Sequence, residues 1–147
     1  MSGASGTARG TAATAGERRA SAQRHDDVLV VEDDDFVRHA LKRLLVSDGR
    51  ECVAASSAEI AQQLLTVHAP ALVITDLNLG GGLNGIDLLV WMGRSPRLAR
   101  VPMLLMTADD PDETRRRLDA AGLAHVDILS KPFDRDALAR IMGHLGA

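Results

Sequence analysis

The chain is 147 residues long, 46% hydrophobic and 25% charged, with a formal net charge of −3; this fits one domain with a proper core and excludes a disordered or fibrous class. The slight acidity gives no footprint for direct nucleic-acid binding, the single Cys52 excludes an internal disulfide, and His25, His39, His68, His125 and His144 lack metal-ligand spacing, so zinc is not expected. No apolar run approaches the ~20 residues needed to cross a bilayer, and the N-terminus has no apolar core of the secretory kind, so a cytoplasmic protein without a membrane partner is expected.

From Ser2 to Asp27 there is no Val, Ile, Leu, Met, Phe or Trp. Such a segment cannot bury enough surface to offset the entropy of ordering, which predicts a disordered tail over 1–27 and a domain over 28–147. Setting aside the tail's Arg9, Arg18, Arg19 and Arg24 and its acids Glu17, Asp26 and Asp27 leaves 13 basic and 17 acidic residues, or −4. That balance suits a metal ion or a basic partner surface.

Val28-Leu29-Val30-Val31 is a short apolar run, and Phe36, Val37, Ala40, Leu41, Leu44 and Leu45 then recur at helical spacing, so a strand leads into a helix that Gly49 ends. Cys52 to Ala55 reads as a weaker strand. Ser56 with Glu59 three residues on predicts a capping box before Ile60, Ala61, Leu64 and Leu65. Ala71-Leu72-Val73-Ile74-Thr75-Asp76, bounded by Pro70 and by Gly80-Gly81-Gly82, reads as a fully buried strand ending in a carboxylate. A helix over 85–93 and a strand over 101–106 follow. Asp110-Pro111-x-Glu113 opens a helix poor in apolar residues, expected to be the most loosely held, which Gly122 stops. Val126, Ile128 and Leu129 form a fifth strand, and Ala137, Leu138, Ile141, Met142 and Leu145 are the stripe of a last helix.

Strands alternating strictly with helices call for a parallel sheet covered on both faces, a doubly wound α/β fold of flavodoxin-like (βα)5 type with strand order 2-1-3-4-5. The polar groups then sort to the C-terminal strand edges, where such sheets bind ligands: Glu32, Asp33 and Asp34 after the first strand, Asp76 after the third, Thr107 after the fourth and Lys131 after the fifth. Asp76 alone could equally cap its turn. Beside Glu32 and Asp33, however, it creates a repulsion that a divalent cation with hard oxygen ligands, Mg2+, would relieve, with Lys131 as the remaining cation. A carboxylate beside Mg2+, a Lys and a Thr hydroxyl is equipped to attack phosphorus, giving an aspartyl phosphate on Asp76.

Val30-Val31-Glu32-Asp33-Asp34, Asp76, Met106-Thr107-Ala108 and Lys131-Pro132-Phe133, in this order and each at its own strand end, resemble the response-regulator receiver domain of two-component signalling. The resemblance covers about Val28 to Leu145. It implies that Asp76 is the phosphoacceptor, Asp33 a direct Mg2+ ligand, Glu32 a mostly water-mediated one, and the backbone carbonyl of Asn78 a further ligand. Thr107 and Lys131 would hold phosphoryl oxygens, and the Lys131-Pro132 bond would be cis. The donor would be a histidine kinase or phosphotransfer protein, and the reader an unknown target protein. Only Gly146-Ala147 follow Leu145, so a stand-alone receiver is expected, a monomer or weak homodimer that signals by protein contact and is no enzyme beyond its own phosphorylation and dephosphorylation.

Several residues invite plainer readings. Asp34 and Asp35 suit a helix N-terminus, Thr107 alone would cap its turn, Trp91 and His39 are ordinary helix residues, and Arg115 to Arg117 are a solvated face. The chain departs from the family at Leu79 to Leu83, where the glycine loop should be looser, and at Ile128, where an aromatic is common. Two other readings stay open: an interaction domain with a relic site, and an aspartyl-phosphate hydrolase of the haloacid-dehalogenase type, which usually carries an acid where Asn78 stands.

Overall fold

The computed structural model describes residues 27–145. The tail predicted for 1–27 lies outside these except for Asp27, which is a buried residue of the fold and not the end of a tail: its carboxylate pairs with His68 and accepts the Ala71 amide at 3.1 Å.

Among the described residues, five strands alternate with five helices: β1 Val28–Val31, α1 Asp35–Ser47, β2 Cys52–Ala55, α2 Ala58–Val67, β3 Leu72–Asp76, α3 Gly85–Gly93, β4 Met103–Thr107, α4 Pro111–Ala120, β5 Asp127–Ser130 and α5 Arg135–His144. All neighbouring strands are parallel, in the order β2-β1-β3-β4-β5. The expected order is therefore the observed one, with β1 and β3 side by side at the centre. The predicted fourth strand begins later than its apolar run, because Val101 closes a turn onto Leu98 before β4 starts.

Side chains in a strand alternate between faces, and both faces of this sheet are covered. Val28 and Val30 of β1, Leu72 and Ile74 of β3, and Leu104 and Met106 of β4 share one core with Leu41 and Leu45 of α1 and Leu138 and Met142 of α5. Leu29, Val31, Val73, Met103 and Leu105 share the other with α2, α3 and Leu118 of α4. This two-sided burial is why the strands read as unbroken apolar runs.

Local chemistry sets the helix starts. Asp34, Ser57, Asn84, Asp110 and Asp134 each accept an amide of the first turn, the N-cap arrangement. The capping box expected at Ser56 and Glu59 is not formed. Ser57 is the cap, and the Glu59 carboxylate instead accepts the Leu83 amide at 3.0 Å.

Helix α4 buries only Thr114 and Leu118, as its composition predicted, but Arg115 is no mere solvated residue. Its guanidinium donates to the carbonyls of Val126 at 2.8 Å and Leu123 at 3.3 Å, tying the helix to the segment leading into β5.

Cys52 is half-buried against the α1/α5 core. Burial pushes its thiol up to about 11 from an ordinary 9.0, while Lys42 pulls the other way. The fold thus favours the neutral thiol, so this contribution to stability is intact below pH 9.0 and is lost as the pH rises through about 11. At pH 8 the native thiolate fraction should be about 100-fold below that of the unfolded chain, at tenfold per pKa unit. Iodoacetamide should alkylate Cys52 correspondingly faster in urea than in the native protein. Equal rates would count against the burial argument.

Candidate phosphoacceptor site

The parallel sheet delivers every strand's C-terminal end to one edge, and the β1, β3, β4 and β5 exits converge there. Glu32 and Asp33 directly follow β1; Glu32 is 1% exposed while Asp33 is exposed. Asp76 is the last residue of β3 and is 7% exposed. Carboxylate oxygens of Glu32, Asp33 and Asp76 all lie within 4.8 Å of one another.

Lys131 enters from just past β5, after which the Lys131-Pro132 bond is cis, as expected. Its ammonium donates to Glu32 Oε1 at 3.0 Å and to Asp76 Oδ2 at 2.9 Å, and its backbone amide is held by the Thr107 carbonyl at 2.8 Å. Burial lowers the lysine's pKa, but the hydrogen bonds and charges of Asp76 and Glu32 outweigh it, so the net direction is up. For Glu32 burial is the largest influence and raises its pKa; the hydrogen bonds from Lys131 and the Asp34 amide pull back without cancelling it, and the Asp76 charge adds to the rise.

Thr107 ends β4 and is fully buried. Its Oγ1 accepts the Asp109 amide at 2.9 Å, so it caps its turn; a hydroxyl that accepts in this way still has its own hydrogen to donate. Asn78 lies two residues past Asp76 on the exposed side of the loop, between the buried Leu77 and Leu79. Asp34 is the N-cap of α1, and Asp35 lies in its first turn, the helix-terminal roles expected for both. Ile128 is half-buried against the α2/α3 core, and Trp91 packs partly buried on that same core.

The donor set fits Mg2+. Three carboxylates face one ammonium, a local charge of −2, and all offer the hard oxygens that this ion takes. Glu32 already accepts on both oxygens, from Lys131 on Oε1 and from the Asp34 amide at 3.2 Å on Oε2. It is better disposed to hold a metal's water than the ion itself, whereas Asp33 is exposed beside it.

Two contributors escaped the sequence reading. Arg38, only 14% exposed, donates to the Glu32 carbonyl at 2.9 Å and pairs with Asp35, clamping the acidic turn onto α1. The Asp35 and Arg38 spacing of three on a helix was the available signal. The second is Gly85, which opens α3 against the end of β3. A Cβ there would lie 2.2 Å from the Asp76 carbonyl oxygen and 3.0 Å from Leu105 Cδ1, and its amide is bound to the Leu77 carbonyl at 2.9 Å. Because the nearest obstacle is backbone, Gly85→Ala should destabilise the fold by about 3 kcal/mol, at the upper end of overpacking effects. A urea midpoint within error of wild type would contradict this.

Residues 28–142 match the family described as the response regulator receiver domain. The chain belongs to this family. The receiver domain is 40% identical over 111 residues to the response regulator protein FleR of Pseudomonas aeruginosa, a match covering 76% of this chain and 22% of FleR, so the chain spans well under two thirds of that relative. The receiver domain of NtrX from Brucella abortus superposes with a TM-score of 0.72 at 28% identity, covering 81% of this chain and 97% of that one. The chemotaxis response regulator CheY4 of Vibrio cholerae, at 22% identity and a TM-score of 0.74 over 82% of this chain and 98% of that one, shares the fold. Among the described residues of the receiver domain, no helix is long and apolar enough to cross a membrane.

Proposed function

We propose that this receiver domain accepts a phosphoryl group on Asp76 from the phosphohistidine of a histidine kinase or phosphotransfer protein, and that the phosphorylated form binds a target protein differently. The observation that carries the reading is Lys131 bridging Asp76 to a buried Glu32 beside the exposed Asp33. In the transfer, an Asp76 carboxylate oxygen forms the new bond to phosphorus, the phosphorus to imidazole-nitrogen bond breaks, and the electron pair stays with the imidazole. Lys131 moves with a phosphoryl oxygen, neutralising charge that spreads over it during transfer. Thr107 donates its hydroxyl hydrogen to another phosphoryl oxygen, and Arg38 keeps the acidic turn in place.

Mg2+, when bound, would be held by Asp33, Asp76 and the Asn78 carbonyl, with Glu32 acting through water, and it supplies neutralisation of the phosphoryl oxygens. The only reaction the domain catalyses is its own phosphorylation and dephosphorylation. A protein donor rather than a small molecule alone is supported by an apolar groove of about 540 Å³ that shares Lys131 and Ala108 with the site edge and is lined by Phe36, Ala40, Pro132 and Phe133; Phe36 is 78% exposed. Asn78 standing where a hydrolase would need a second acid disfavours turnover of free phosphomonoesters.

The test is intact mass after incubation with acetyl phosphate. The protein should gain about 80 Da, one phosphoryl group, in the presence of Mg2+ and not in EDTA. No adduct under either condition would favour an interaction domain with a relic site.

A further inference from the structure

The loop that follows the phosphoacceptor is held from outside its own element. Leu77 and Leu79 are buried, Leu83 is partly buried against the α2/α3 core, and Gly80, Gly81 and Gly82 between them are exposed. Three consecutive glycines carry more backbone freedom than any other triplet, so the path between the buried leucines is not determined by side-chain packing. One polar tie crosses to it from α2. The Glu59 carboxylate, in that helix's first turn, accepts the Leu83 amide at 3.0 Å. Gly82, at φ 87°, lies under the same carboxylate, and a Cβ there would be 2.8 Å from Glu59 Oε2. Glycine at 82 therefore serves twice, supplying a left-handed backbone and the room in which Glu59 sits.

We infer that Glu59 is a positioning residue for the metal side of the site: by fixing Leu83 and Gly82 it holds the glycine loop, and with it the Asn78 carbonyl, in the place where that carbonyl can serve as a ligand. Glu59 belongs to α2 and to neither β1 nor β3; it acts through the loop. This rests on the phosphoacceptor reading above. Residues that orient a ligand from outside the coordination sphere commonly matter about tenfold or more for metal affinity, and Glu59 supplies the polar tie at the far end of a loop whose near end is anchored by the buried Leu77 and Leu79.

The experiment compares wild type, Glu59→Ala and Glu59→Gln. Mg2+ affinity is measured by calorimetry, and exchange of the Leu83 and Asn78 amides by NMR, with thermal unfolding as the control for folding. Glu59→Ala should weaken Mg2+ binding by about tenfold and speed Leu83 exchange with little change in unfolding temperature. Glu59→Gln removes the charge but keeps an acceptor oxygen for the amide, and should restore both. Glu59→Ala with wild-type affinity would overturn the inference. So would Glu59→Gln as weak as Glu59→Ala, which would make Glu59 a source of negative field and not a positioning group. If the wild-type protein itself neither binds Mg2+ nor takes phosphate, it is the phosphoacceptor reading that falls, and this one with it.

Discussion

Asp76→Asn takes up no phosphoryl group from acetyl phosphate while remaining folded. The amide has the shape of the carboxylate and can still accept from the Lys131 ammonium, now at 2.9 Å from Asp76 Oδ2, but its oxygen is a poor nucleophile and it removes one negative charge from the three-acid cluster. Loss of the adduct of about 80 Da should therefore be complete, and Mg2+ binding should weaken with it. Intact mass reads the first outcome and far-UV circular dichroism the fold. A residual adduct at the wild-type level would place the acceptor elsewhere, with the exposed Asp33 as the first carboxylate to map.

The second large effect is expected from Lys131→Ala, which acts on stability and on transfer at once. It leaves Glu32, at 1% exposure, and Asp76 facing each other with their shared ammonium gone. Removing one partner of a buried charge set leaves an uncompensated charge, so destabilisation of about 3 kcal/mol is expected in Mg2+-free buffer. A bound cation compensates by mass action, about 2.7 kcal/mol at a hundred times its dissociation constant. The variant should accordingly gain more from added Mg2+ than wild type does. Phosphoryl uptake should slow by about a hundredfold, the usual result of deleting one group that stabilises developing charge. Equal urea midpoints for variant and wild type without Mg2+ would show that Lys131 does not compensate Glu32.

Why some of this was legible and some was not follows from where each signal resides. Val28–Val31 and Leu72–Asp76 announced themselves because a strand covered on both faces must be apolar throughout, and the alternation with helices then left few topologies. The acids, Thr107 and Lys131 were legible because a parallel sheet sends all strand ends to one edge. What stayed hidden depends on partners distant in sequence. Glu59 reads locally as half of a capping box, yet its partner is Leu83, 24 positions away. Arg115 looks like one of three solvated arginines until the carbonyls of Leu123 and Val126 are brought beneath it. Gly85 resembles an unfavourable helix residue, and only the approach of the Asp76 carbonyl explains it. At Ser56 and Ser57 two adjacent hydroxyls offer a cap, and it is Ser57 that accepts the Ile60 amide at 3.1 Å.

The alternation along β1 has one more consequence. The two-residue phase that sends Val28 and Val30 into one core and Leu29 and Val31 into the other carries on to Glu32, whose amide still bonds across to the Ala55 carbonyl at 3.0 Å, and sequesters it beside the lysine; the chain then bends, and Asp33 is open to water. Sliding this strand by a single residue would turn its side chains to the opposite faces and carry position 32 away from the lysine. The hydrophobic zipper of the sheet thus places a charge: it makes the acid at its end a captive counter-ion, while the acid in the bend beyond stays open to water.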